Sequence, residues 1–204
     1  MDAWTITLVV LGLLVLGAVA WVATTYHRFA RMRVLVEEAW RQVDVELERR
    51  HDVVPLLVRT VGAVTGPERE VLADVDRARA EAAAPGVGPA RQAEQENALT
   101  AALGRLFAVA EAHPEVRTRE DFLALQSELT NTEDRIAAGR RFYNANVRQL
   151  NTRVTAFPAA LVARVLGFGP AEYFQASDPV VRLAPAVTYA APDEDGGAGR
   201  TAPA

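Results

Sequence analysis

The sequence predicts an all-α protein: an N-terminal transmembrane helix, a cytoplasmic antiparallel four-helix bundle and a disordered C-terminal tail. Three observations carry this. Residues 3–26 contain no charged side chain, and 18 of those 24 are apolar. From there to about residue 168 the apolar residues recur every three or four positions, the period of a helix with one buried face. From about Ser177 onward Pro, Ala, Gly and Asp dominate, and such a stretch buries too little apolar surface to offset the entropy of ordering. No period-2 stretch precedes that tail. Residues 180–189 hold a few β-formers, but the prolines among them argue against a strand.

The apolar segment is long enough to span a bilayer. Its 24 residues, as a helix, cover roughly 36 Å against roughly 30 Å of hydrocarbon. Trp4 marks one end and Trp21 with Tyr26 the other, where amphipathic rings prefer the headgroup level. Ala18-Val19-Ala20 resembles a signal-peptide cleavage site. The flank before the run lacks Lys and Arg, however, and the run exceeds the length of a cleavable apolar region, so a retained anchor is expected. Only Asp2 is charged on the N-terminal side, whereas Arg28, Arg31 and Arg33 follow the segment beside His27. The positive-inside rule then places the N-terminus outside and the bulk of the chain in the cytoplasm. Gly12 and Gly17 are five apart and form no GxxxG face; Ala20 and Thr24 give one weak small-xxx-small pair.

The soluble helices follow in order. Neither Gly nor Pro occurs between Ala18 and Val54, so the membrane helix is expected to run on into the first cytoplasmic helix. Its stripe, from Val36, Trp40, Val43 and Leu47 to Val54, Leu57, Val61 and Val64, has a heptad rhythm with one step missing at Arg50 or His51. Pro55 removes a backbone donor and predicts a kink, and Thr65-Gly66-Pro67 ends the segment. A second helix starts at Pro67 and carries Val71, Leu72, Val75 and Ala78 on its apolar face. The run Pro85-Gly86-Val87-Gly88-Pro89 breaks the chain. A third helix covers residues 90–112, with Leu99, Leu103, Leu106 and Val109 facing inward, and Pro114 closes it. Thr118 is the expected N-cap of the fourth, whose stripe runs from Phe122 through Leu129, Thr132, Ile136, Gly139 and Tyr143 to Val154 and ends near Phe157-Pro158. A short amphipathic piece, residues 159–168, then Tyr173 and Phe174, complete the folded part. With Arg164 as its only charge that piece lacks the basic face of a membrane-surface helix, and packing across the bundle end is the favoured reading. The expected divisions are therefore residues 3–26, 27–176 and 177–204.

Several stretches in this order resemble the LemA family. They are Val36-Glu37-Glu38-Ala39-Trp40-Arg41-Gln42-Val43-Asp44-Val45-Glu46-Leu47, then Arg49-Arg50-His51-Asp52-Val53-Val54-Pro55-Leu56-Leu57-Val58, then Leu103-Gly104-Arg105-Leu106-Phe107-Ala108-Val109-Ala110-Glu111. The fourth helix adds Phe122-Leu123-Ala124-Leu125-Gln126-Ser127-Glu128-Leu129, Thr132-Glu133-Asp134-Arg135-Ile136 and Arg141-Phe142-Tyr143-Asn144. The resemblance covers roughly residues 5–176. It implies a bacterial inner-membrane protein with a cytoplasmic antiparallel helical bundle, from a family without an established enzymatic activity. This chain departs from it in having His51 where Tyr is common, and Gly66-Pro67-Glu68 where a His-Glu pair is frequent.

Few residues suggest chemistry. Zero cysteine removes disulfide frameworks, zinc ribbons, iron–sulfur sites and thiol catalysis. The 22 basic residues are all arginine, and a net charge of -4 argues against nucleic acid as a partner. There is no nucleophile elbow, H-E-x-x-H or Walker loop, and Ser127 and Ser177 lack a catalytic setting. Glu48 and His51 form one E-x-x-H, half of a di-iron signature, but neither His27 nor His113 supplies the second half. Arg50 and Asp52 fall where the first stripe is interrupted, and Glu133 lies on the fourth helix beside Thr132. Arg50 and Glu133 either pair across the core, where an unpaired charge costs several kcal/mol, or snorkel to solvent at its edge. With Tyr143 and Asn144 they make a candidate interhelical polar network. No cofactor and no metal is assigned. The expected function is that of a scaffold or protein-interaction module, not an enzyme, with the lipid bilayer and an unidentified membrane or cytoplasmic protein as partners. A ligand- or metal-binding sensor is the alternative.

Overall fold

The computed structural model describes residues 2–64 and 68–176. The expected turn at 65–67 and the expected tail from Ser177 lie outside the described residues. What is described is all-helical. Helix α1, Ala3–Gly62, is one uninterrupted rod of 60 residues. It contains a stretch long and apolar enough to cross a membrane by length and composition, and that stretch is wholly exposed. Pro55 lies inside α1, which continues through it to Gly62. Pro lacks the donor that would reach the carbonyl of His51, and the neighbouring turns keep their own bonds.

Helix α2 (Arg69–Ala82) and helix α3 (Pro89–Ala112) form a hairpin. Gly86 turns the connection with φ of +84°. Pro89 fills the first turn of α3, where its missing donor has no intrahelical partner anyway. The next element differs from expectation. Pro114–Arg117 forms a four-residue helix of its own, α4, and helix α5 (Glu120–Thr155) begins after it. Thr118 therefore does not cap α5: its hydroxyl donates to the carbonyl of Pro114 at 3.0 Å and closes α4 instead. Val116, fully buried, pins that extra turn to the core. Helix α6, Ala159–Val165, follows a cis Phe157–Pro158 peptide.

Helices α1 and α5 form the long pair, and their contacts run antiparallel. Arg49 meets Glu128, Arg50 meets Glu133, Val43 meets Gly139 and Trp40 meets Tyr143. The helices come close at Gly139, where a Cβ would stand 3.1 Å from Val43 Cγ2. The α2–α3 hairpin packs on the far part of α1, with Leu72 of α2 against Gly62.

The interior is two apolar clusters. One, far from the N-terminal segment, joins Val54, Leu57 and Val61 of α1 to Val75 of α2, Leu99 and Leu106 of α3, and Leu129 of α5. The other joins Phe29, Val43 and Leu47 of α1 to Ile136, Tyr143 and Val147 of α5, with Ala163 of α6 and Phe174. On each helix the break between the clusters falls at polar residues, and those residues meet.

Candidate functional site

The break is a buried charged layer. Arg50 and His51 of α1, Gln92 and Glu96 of α3, and Thr132 and Glu133 of α5 are all buried. The Arg50 guanidinium donates from Nη1 to Glu96 Oε2 at 2.7 Å and from Nη2 to Thr100 Oγ1 at 2.8 Å. Its Nε lies 2.7 Å from Glu133 Oε1, a charge contact whose angle falls short of a hydrogen bond. The other oxygen of Glu96, Oε1, accepts from Gln92 Nε2 at 3.0 Å and lies 2.8 Å from His51 Nε2. Gln92 also donates to the carbonyl of Ala82, the last residue of α2.

One side chain thus ties three helices. Arg50 reaches α3 and α5 from α1, in the two-sided manner that a planar guanidinium allows and an ammonium does not. On the side of Arg50, Glu96 and Glu133 the layer is tightly packed around a space of about 10 Å³, room for at most a single water. On its other side His51 and Gln92 border an open recess of about 350 Å³ with Trp40, Asp44 and Glu48. Removing Arg50 takes away the cation that two buried carboxylates share, which costs about 3–5 kcal/mol.

The candidate residues divide. Arg50 and Glu133 meet. Asp52 is exposed and stands outside the layer, because a step of about 100° per residue turns it away once Arg50 and His51 face inward. Glu48 is likewise exposed and stands outside the layer; it and His51 border the same open recess. Among the described residues no group of three or more His, Asp or Glu side chains is placed to hold a metal ion. Glu96 and Gln92, which complete the layer, were not candidates from sequence. The available signal was spacing: Gln92 and Glu96 lie seven and three residues before Leu99, on the same stripe.

Tyr143 and Asn144 serve a different structure. Residues 169–176 have no regular secondary structure and lie as a strap along α5. The Tyr143 hydroxyl donates to the carbonyl of Glu172 at 2.8 Å. Asn144 bonds Phe174 on both sides, donating to its carbonyl at 2.9 Å and accepting from its amide at 3.0 Å. Asn151 treats Ala171 the same way, at 2.9 and 2.8 Å. These paired amide bonds replace the ladder an isolated extended segment lacks. They seat Phe174, fully buried, edge-on to Trp40 at 5.4 Å. Burial, with the Glu172 carboxylate nearby, pushes the Tyr143 phenol up to about 12.

At the other end of the strap Gly167, with φ of +74°, turns the chain out of α6. The amide of Phe168 bonds the carbonyl of Ala163 at 2.9 Å, the long bond of a Schellman cap. That turn brings the Phe168 ring to 5.3 Å from Phe29 and 5.8 Å from Tyr26.

Comparisons with known proteins agree with this architecture. Over 74 residues, 36% of this chain, it is 40% identical to magnetosome proteins MamQ 1 and MamQ 2 of Paramagnetospirillum magneticum. Over 73 residues it is 37% identical to magnetosome protein MamQ of Magnetospirillum gryphiswaldense. In each case the match spans 27% of the relative's own length. The family model for LemA matches residues 39–189, a stretch that holds the charged layer, the strap and every helix after the first part of α1. The chain belongs to the LemA family.

Proposed function

We propose that this protein is a single-pass inner-membrane protein that displays an antiparallel four-helix bundle, α1 with α2, α3 and α5, in the cytoplasm as a scaffold for protein interaction. The observation that carries this is the continuity of α1: the exposed apolar segment and the helix that supplies Arg50 are one rod. A flexible link would tether a domain; an unbroken helix fixes its height and its facing. Arg28, Arg31 and Arg33 follow the apolar segment without an acidic residue among them, which supports a cytoplasmic bundle and an N-terminus outside. The role is binding rather than catalysis. Arg50, Glu96, Thr100 and Gln92 bond one another, and the space beside Arg50, Glu96 and Glu133 is only about 10 Å³, so this layer suits register and rigidity better than turnover.

Topology is tested with reporters fused at residue 180. A fluorescent protein there is expected to mature and a phosphatase that needs the oxidising exterior to stay inactive. Phosphatase activity at that position overturns the orientation. Crosslinking in intact membranes, read by mass spectrometry, then identifies the partner.

A further inference from the structure

The overall charge of -4 conceals a separation by position. Along α1 no acidic residue occurs from Ala3 to Val36, and along α5, α6 and the turn after them none occurs from Arg135 to Ala171. The antiparallel pairing of α1 with α5 brings these two stretches to the same end of the molecule, the end nearest the apolar segment. Five exposed arginines stand there: Arg28 and Arg31 on α1, Arg148 and Arg153 on α5, and Arg164 on α6. None has a carboxylate partner among the described residues, whereas Arg33 is held by Glu37 at 3.0 Å.

Apolar surface is exposed at the same end. Leu161 and Val165, four apart on α6, are 59% and 83% exposed, and Phe157, two residues before the helix, is 83% exposed. Between them Val162 is buried and Ala163 is buried in the α1–α5 cluster, so α6 is seated on one side and bare on the other. Leu166 borders an apolar recess of about 450 Å³ with Ala18, Val19, Val22, Ala23, Tyr26 and His27. The end of α6 therefore stands level with the last turns of the very segment read as membrane-spanning. Roughly 20 helical residues fill the hydrocarbon, so this level is the boundary between acyl chains and headgroups.

We propose that α6 and the turn before it form a second membrane contact: the exposed side chains of Phe157, Leu161 and Val165 enter the cytoplasmic leaflet at the acyl–headgroup boundary, and the five arginines bind the phosphates of anionic lipids around them. The occupant is the bilayer because the surface is continuous with the anchor and opposite in charge to an anionic leaflet. On its own α6 has one basic residue and looks unsuited to a membrane. The basic face is supplied by α1 and α5, which sequence order separates and folding unites. The proposal rests on the anchor reading and fails separately from it.

The chain has no cysteine, so a single introduced one takes a spin label cleanly. Full-length protein in nanodiscs of phosphatidylcholine with phosphatidylglycerol is labelled at L13C, V45C, L161C or V165C, all exposed sites. Collisions with oxygen and with a water-soluble nickel chelate report depth. Labels at 161 and 165 are expected to favour oxygen severalfold, like that at 13, and the label at 45 to favour the chelate. Replacing Arg148, Arg153 and Arg164 by Gln, or using phosphatidylcholine alone, is expected to reduce that preference at 161 and 165 and leave 13 unchanged. If 13 lies in lipid while 161 and 165 lie in water, or are shielded from both reagents by protein, the proposal is overturned and the anchor stands. If 13 lies in water, both fall.

Discussion

Arg50 shows how much one side chain decides here. It is surrounded by two carboxylates and a hydroxyl and has almost no contact with solvent. Arg50→Met removes the cation that the buried Glu96 and Glu133 share, and a loss of about 3–5 kcal/mol is expected. That corresponds to a fall in Tm of roughly 10 °C for a chain of this size, followed by circular dichroism in nanodiscs. Glu133→Gln keeps the Arg50–Glu96 pair, so a smaller loss of about 1–3 kcal/mol is expected; an unchanged Tm would show that Glu133 contributes nothing. Tyr143 adds a pH dependence. Its folded-state value of about 12 lies above the ordinary 10, so the folded state favours the neutral phenol. The associated stability is complete below about pH 10 and drains away as pH rises toward 12. Unfolding midpoints at pH 9, 10 and 11 are expected to fall more steeply for the wild type than for Tyr143→Phe. The pairing partners on α1 and α5 could be suggested from sequence because Arg50 falls at the break in the first stripe and Glu133 beside the polar Thr132 on the fourth helix's stripe. Glu96 had only its spacing from Leu99 to mark it within Gln95-Glu96-Asn97, where a side chain's facing alone distinguishes a buried carboxylate from its neighbours. Asp52 misled for the same reason: proximity in sequence is not proximity around a helix.

Among the elements, the long helices were legible and the irregular ones were not. Three-and-four spacing marks α1, α3 and α5 because each buries a single face over many turns. The four residues of α4 are too few for a period, and Thr118 fitted an N-cap pattern that Pro114 had already claimed one turn earlier. The strap left no pattern at all, since its hold comes from side chains 20 to 30 residues away. Replacing Asn144 and Asn151 together by Ala removes four of its five side-chain bonds. Hydrogen exchange at the amides of Ala171 and Phe174 is expected to accelerate at least tenfold, with α2 and α3 unaffected; equal rates would mean that Phe174 alone seats the strap. The α1–α5 crossing is governed by Gly139. A Leu there cannot fit beside Val43, and overpacking by about 1–3 kcal/mol is expected in thermal unfolding.

At the scale of the whole molecule, the charged layer divides the interior and sets its register. Sliding α5 along α1 by one turn would bury the same number of methyl groups but strand Arg50 and Glu133 apart, so the layer excludes alternatives that apolar packing alone would tolerate. In the topology proposed, its separation from the bilayer matters too. The helix rises about 1.5 Å per residue from Tyr26 to Arg50, a distance of roughly 36 Å. At physiological ionic strength electrostatic potentials fade over about 8 Å, so with the apolar segment in the membrane several such lengths would lie between the layer and the lipid headgroups. Helix α1 would then be an insulating post: it would hold the charged layer in place while keeping it electrically deaf to the composition of the leaflet below.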